Sequence, residues 1–330
     1  MQRRYITVDV FTDRAFGGNP LAVVLDAQGL STAQMQAIAC EFNYSETTFV
    51  LPAREAGNDS HVRIFTPTHE MAFAGHPNVG TAVVVARQAA KPPERLAFEE
   101  GAGLVLIDIL TEHGKVVGAE LAAPQPLKRL TQVSAEQAAG LISLTAEDVA
   151  SNRHLPQIVS VGMPFLVAEI HSREALRRAK PDAAAFARTF PRDGAFAIYF
   201  YTRDVDPAEA HCELQARMFF PGAGGLIEDP ATGSATVAAA ALLADIDASQ
   251  DGELRLTIGQ GFDMGRPSLL LTRVVKKAGN IVSAHVGGRC VRLAGLPSAC
   301  PGPSDGHSRC RAHRGWRQAG SWKSRDGATR

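Results

Sequence analysis

Arg63-Ile64-Phe65-Thr66-Pro67 leading to His76-Pro77-Asn78-Val79-Gly80-Thr81-Ala82, and Arg217-Met218-Phe219-Phe220-Pro221 leading to Asp229-Pro230-Ala231-Thr232-Gly233-Ser234-Ala235, are one phrase written twice. Each copy reads R-x-F-x-P, a variable stretch, then [HD]-P-x-x-G-[TS]-A opening an apolar run, and the copies lie about 154 residues apart. A period near half the chain predicts two similar domains facing across a cleft rather than a stack of short repeats. The residues heading the two motifs are a histidine, His76, and a carboxylate, Asp229.

The runs after the motifs, Thr81–Arg87 and Ala235–Ala244, are apolar on every side, and a helix without a polar face has to be surrounded by protein. Each is expected to thread a rolled sheet, with its N-terminus at the open end. Unpaired N–H groups and the positive end of the helix dipole there would face an anion. Gly80 and Gly233 would allow close backbone approach, and Thr81 and Ser234 would add hydroxyl donors. Simple helix capping explains each motif singly but not the duplication.

Around these motifs the pattern is strand-rich. Tyr5–Phe11, Leu21–Leu25, Glu46–Leu51, His61–Phe65, Leu104–Leu110 and Lys115–Ala122 read as strands, and Thr32–Phe42 as an amphipathic helix capped at Ser31 or Thr32. Pro124-Gln125-Pro126 marks a linker. Beyond it, helices are expected at Ser134–Leu141, Thr145–Ala150, Ser172–Ala179 and Asp182–Thr189. Strands are expected at Gln157–Val161, Phe165–Ile170, Ala195–Thr202, Glu213–Phe219, Leu254–Ile258, Leu269–Val275 and Ile281–Val286. The expectation is an α+β protein of two pseudo-symmetric halves, 1–120 and 125–296, with the closing strands free to cross between them.

Composition bounds the function without choosing it. The 330 residues are 45% hydrophobic and 21% charged with no net charge, an ordinary globular balance that points to neither nucleic acid nor a membrane. Residues 301–330 hold seven Lys/Arg against Asp305 and Asp326 and have no apolar periodicity, so they are expected to be a disordered basic tail. The first residues alternate like a strand and include Asp9, unlike a secretory signal, so a cytoplasmic protein is expected. Cys40, Cys212, Cys290, Cys300 and Cys310 show no C-x-x-C spacing, so reduced thiols and no zinc are expected. His69-Glu70 lacks the second histidine of H-E-x-x-H, Gly101-Ala102-Gly103 lacks a third dinucleotide-binding glycine, and neither a P-loop lysine nor a G-x-S-x-G elbow occurs. No metal and no cofactor are therefore expected.

Five motifs in order carry a resemblance: Gly17-Gly18-Asn19-Pro20-Leu21-Ala22-Val23-Val24, Ser45-Glu46-Thr47-Thr48-Phe49-Val50, Gly75-His76-Pro77, Glu228 through Ala235, and Gly265-Arg266-Pro267-Ser268. Over residues 1 to about 296 the chain resembles the phenazine-biosynthesis PhzF-type isomerase family. The resemblance implies a diaminopimelate-epimerase-like fold, each half a mostly antiparallel rolled sheet about a central helix, in a cofactor-independent and usually dimeric enzyme. It also implies that Glu46 moves a proton on the carbon skeleton of a small cyclic carboxylic acid, beside His76, Asp229, Ser234 and Gly75. The named reaction of the family isomerises a dihydro-hydroxyanthranilate.

Physical chemistry agrees with these roles. A carbon acid releases its proton only to a dry, close base while the accumulating charge is neutralised. Glu46 lies among Phe42, Tyr44, Phe49 and Val50, a setting that raises a carboxyl pKa. Two alternatives stay open: an amino-acid epimerase or racemase of the same fold, and a non-catalytic carboxylate-binding or scaffold protein. A two-thiol epimerase would need cysteine near Ala74 and Thr232, where there is none.

Overall fold

The computed structural model describes residues 2–206, 208, 211–222, 225–295 and 322–323. The first half runs β1 (Tyr5–Val10), β2 (Asn19–Val24), α1 (Thr32–Phe42), β3 (Glu46–Leu51), β4 (Ser60–Phe65), β5 (Glu70–Met71), α2 (Gly75–Ala86), β6 (Arg95–Glu100), β7 (Gly103–Glu112) and β8 (Lys115–Ala122). The second runs β9 (Lys128–Gln132), α3 (Ala135–Gly140), β10 (Gln157–Ser160), β11 (Pro164–Ile170), α4 (Arg173–Arg178), α5 (Ala183–Thr189), β12 (Ile198–Thr202), β13 (Leu214–Gly222), β14 (Gly225–Asp229), α6 (Gly233–Ile246), β15 (Gly252–Gln260), β16 (Ser268–Lys277) and β17 (Asn280–Gly295). The expected helix at Thr145–Ala150 is instead a single 3-10 turn, Ala146–Asp148, running into a two-residue strand. The β-branched Val149 there pairs with Ile170. Of the basic tail, only Trp322–Lys323 falls within the described residues, and it pairs with Gln2–Arg3.

The two halves share one order of pairings. β2 and β3 are parallel, as are β11 and β12, and each pair is joined by a helical crossover, since parallel neighbours cannot be linked by a tight turn. The second parallel pair in each half, β4 with β6 and β13 with β15, encloses the central helices α2 and α6 in its crossover. Both helices are buried on all sides, as their unbroken apolar sequence requires. Each is also pinned to its barrel by a buried hydroxyl pair, Thr48 with Thr81 at 2.8 Å and Tyr199 with Thr236 at 3.0 Å. The architecture is α+β and diaminopimelate-epimerase-like, as expected.

Closure of the first barrel depends on the second. β17 pairs in turn with β16 over 280–287, with β8 over 285–289 and with β1 over 290–295. It fills the gap between β8 and β1 and completes a ring of strands about α2.

The repeated R-x-F-x-P is a structural device. Arg63 lies over the Phe65 ring and clasps Glu70 across the β4–β5 hairpin, and Arg217 does the same with Phe219 and Glu228 across β13–β14. Arg217 also donates to the Leu176 and Ala179 carbonyls at the end of α4. In the first half the β4–β5 register matches Ile64 to Met71, and in the second Met218 to Asp229. The structural counterpart of Asp229 is therefore Met71, and that of His76 is Ser234, because the second hairpin is four residues longer.

Candidate active site

α2 and α6 begin at the same place in the molecule. A Cβ on Gly75 would stand 3.7 Å from both the Cα of Gly233 and the backbone N of Ser234. Neither helix has a side-chain N-cap: the Ala74 methyl cannot supply one, and the Thr232 side chain caps nothing. Two sets of unpaired N–H groups and two positive dipole ends thus meet at one point, an arrangement suited to a carboxylate.

One expectation is corrected here. Gly80 and Thr81 do not lie at the helix start; α2 begins five residues earlier, at Gly75, and both residues are buried in its second turn. Pro77 sits in the first turn, where its missing N–H costs nothing, so it opens the helix rather than preceding it. A Cβ at Gly80 would lie 2.6 Å from Leu21, so this glycine admits the barrel wall instead of a ligand. The residues that the structure brings to the helix ends are Gly75, His76, Gly233 and Ser234.

Glu46, at the start of β3, points its Oε2 at Nε2 of His76 from 3.3 Å, yet neither atom has a hydrogen-bond partner among the described residues. Burial, aided by the nearby charge of Asp229, pushes the Glu46 carboxyl up to about 8. Burial draws His76 down to about 3, against a backbone hydrogen bond to Pro20. With Nε2 unpartnered, that bond is made by Nδ1–H. The neutral ring therefore turns its Nε2 lone pair to the Glu46 carboxyl.

Asp229 closes the site from the second half. Its carboxylate accepts from Asn19 Nδ2 at 2.9 Å and from the Thr232 hydroxyl. Burial lifts it to about 6, while the Thr232 and Asn19 bonds hold it lower than burial alone would. Gln260 secures the loop behind it, accepting from Thr232 N at 3.1 Å and donating to the Asp229 carbonyl at 2.7 Å and the Thr232 hydroxyl at 3.0 Å. The loop before Asn19 is held by Arg266, which donates to the Gly17 and Gly18 carbonyls and to Asp9. Gly18 has φ +60 and lies so close to Val10 that no side chain fits.

The structure thus assembles Glu46, His76, Asp229, Gly75, Gly233 and Ser234 at one point. Sequence reasoning gave no role to Asn19, Thr232, Gln260 or Arg266. Asn19 and Arg266 stand inside the quoted motifs, but Gln260 has no local signal at all. Among the described residues no group of three His, Cys, Asp or Glu side chains is placed to hold a metal. No helix among them is long and apolar enough to cross a membrane.

Two pseudo-symmetric halves thus bring acidic side chains and uncapped helix ends to one meeting point. The chain belongs to the phenazine biosynthesis-like protein family, whose model matches residues 8–295. It is 38% identical over 306 residues to an uncharacterised isomerase of Mesorhizobium japonicum, covering 88% of this chain and 97% of the other. It is 35% identical over 288 residues to the trans-2,3-dihydro-3-hydroxyanthranilate isomerase of Pseudomonas chlororaphis, covering 87% and 96%. A crystal structure of a PhzF-family protein from Bacillus anthracis superposes with a TM-score of 0.79 at 25% identity, over 90% of this chain and 98% of that one. The protein is an isomerase.

Proposed function

We propose that this isomerase moves a proton between carbons of a small cyclic carboxylic acid, using Glu46 as base and then as acid, in a reaction like that of the dihydro-hydroxyanthranilate isomerases. The observation that supports it most is the Glu46–His76 contact at 3.3 Å, two buried and unpartnered polar atoms beside the facing helix ends. The substrate carboxylate docks on the N–H groups of Gly75, His76, Gly233 and Ser234, with the Ser234 hydroxyl as a further donor. Ionised Glu46 takes the proton from carbon, and the electrons spread toward the helix ends, which stabilise the charge. Burial favours the neutral acid so formed, and the His76 lone pair holds its O–H until the proton is returned at another carbon.

Solvent-deuterium incorporation into trans-2,3-dihydro-3-hydroxyanthranilate, followed by NMR, tests this. Label at the new C–H position in the wild type and none with Glu46→Gln supports it; equal label in both moves the base elsewhere. A second reading has one observation in its favour: Asp229, a carboxyl from the opposite half, is also raised, which suits two-acid epimerisation of an amino acid. Exchange at one carbon with inversion and no shift of a double bond would identify that chemistry. A homodimeric, cytoplasmic enzyme is part of the proposal, and sedimentation and cell fractionation test it.

A further inference from the structure

Each central helix is preceded by a short strap, Met71–Ala74 before α2 and Asp229–Thr232 before α6. The strap before α6 is fastened by Gln260. Strand register identifies the counterpart of Gln260 in the first half: Ala216 pairs with Gln260, while Ser60 and His61 pair with Phe98 and Glu99, so the matching residue is Glu100. The neighbouring glycines agree. A Cβ on Gly261 would meet Pro230 Cα at 3.1 Å, and one on Gly101 would meet Ala72 Cα at 3.0 Å. The Ala102 N–H also bonds the Ala72 carbonyl at 3.0 Å, bringing the end of β6 against the strap.

The amide of Gln260 makes two bonds to the strap backbone, accepting from the Thr232 N–H and donating to the Asp229 carbonyl, beside its bond to the Thr232 hydroxyl. The same backbone groups in the first strap belong to Ala74 and Met71. A protonated carboxyl offers the same acceptor and donor as an amide, whereas a carboxylate can only accept and would repel the Met71 carbonyl. Both carboxyl oxygens of Glu100 are buried and neither bonds the strap; among the described residues the Asn78 side chain of α2 is the hydrogen-bonding group beside them. Among the described residues, a side chain at the end of the neighbouring strand fastens the strap before α6 and none fastens the strap before α2.

We propose that Glu100 is a positioning residue which, as the protonated acid, latches the Met71–Ala74 strap when an anion arrives and so aims the first N–H groups of α2 at the substrate carboxylate. This rests on the function proposed above. Burial pushes Glu100 up to about 8, opposed only by Asn78 of α2, so the acid form prevails at neutral pH. The other titratable groups on the elements packed round it are His76 on α2, His61 and Arg63 on β4, Glu70 on β5, Arg95 and Glu99 on β6, and Asp108 and Glu112 on β7. None of these shifts the Glu100 carboxyl.

Anthranilate serves as the probe, with its affinity measured by calorimetry on the full chain for the wild type, Glu100→Gln and Glu100→Ala between pH 7 and pH 9.5. Glu46 ionises in the same range, so Glu100→Gln, which retains Glu46, is the control. The wild type is expected to lose about tenfold more affinity than Glu100→Gln as pH rises, and Glu100→Ala to bind about tenfold more weakly throughout. At neutral pH anthranilate should slow hydrogen exchange at the Ala74 amide in the wild type and Glu100→Gln but not in Glu100→Ala. Identical pH profiles for the wild type and Glu100→Gln, or failure of Gln to restore what Ala loses, overturns the latch. If anthranilate binds no variant, the carboxylate site has failed instead. Exchange at Ala74 with sulfate supplied as the anion then decides the latch: faster in Glu100→Ala than in Glu100→Gln supports it, and equal rates overturn it.

Discussion

Gly75 and Gly233 are the first residues of two buried helices, and a methyl added to the former would stand 3.7 Å from the Cα of the latter. Their closeness turns two ordinary helix ends into one electropositive point. Gly75→Ala meets only ordinary contacts, so the variant is expected to fold with a melting temperature near that of the wild type. The methyl would occupy the gap that an anion needs, and anthranilate affinity should fall by about tenfold or more. Calorimetry on the folded variant checks both expectations.

Glu46→Gln preserves shape and removes the base. Turnover is expected to drop by roughly 10²- to 10⁴-fold, the usual span for a general acid–base group. In the wild type the base form appears only as the carboxyl ionises, so kcat/KM should rise with pH toward about 8. His76, held near 3, stays neutral across that range and adds no limb to the profile. A pH–rate curve on the wild type measures this directly.

The two halves of the chain show why part of the site was legible and part was not. The enclosed helices could be read because an apolar run with no polar face has one physical solution. The shared proline makes His76 and Asp229 look like counterparts, but the hairpin before Asp229 is longer and register makes Ser234 the partner of His76. Gly80 reads as a helix-end residue for a related reason, since Pro77 looks like a boundary although the first turn of a helix accepts it. Asn19 reaches Asp229 across 210 residues of sequence, a contact that no local pattern announces.

Ser234 lies beyond the N-cap residue Thr232, in the first turn of α6. Ser234→Ala is therefore expected to leave stability within about 0.5 kcal/mol and to weaken carboxylate binding by about 1 kcal/mol or more. Thermal melts beside anthranilate titrations separate the two effects. A variant that melts early but binds normally would return this serine to a structural role.

Stability should depend on pH through Glu100. Its folded carboxyl is held up to about 8 from an ordinary 4.5, so the folded chain keeps a proton that the unfolded chain releases between those values. Stability attributable to this group therefore falls as pH climbs from about 4.5 to about 8 and is level above it. Glu100→Gln removes the effect: it should stabilise by up to roughly 3 kcal/mol near pH 8 and by little near pH 4.5. Urea unfolding at the two pH values checks the sign and the size.

Asn19→Leu removes a neutral donor from the Asp229 carboxylate and leaves the Ala231 carbonyl without its side-chain partner. A loss of about 1 to 3 kcal/mol is expected, together with an upward shift of the Asp229 titration measured by carbon-13 NMR.

The strand Asn280–Gly295 lies between Lys115–Ala122 and Tyr5–Val10 and seals the barrel built from the beginning of the chain. During synthesis, that barrel has nearly all its strands in hand after residue 122 but stays open, with two unpaired edges, until residues 280–295 have left the ribosome. The half that is made first is the last to be finished. A fragment ending at the Pro124–Pro126 linker would carry Glu46 and His76 on an unsealed sheet, prone to pair with its own copies, so the order of translation makes the two halves obligate companions before either can hold a substrate.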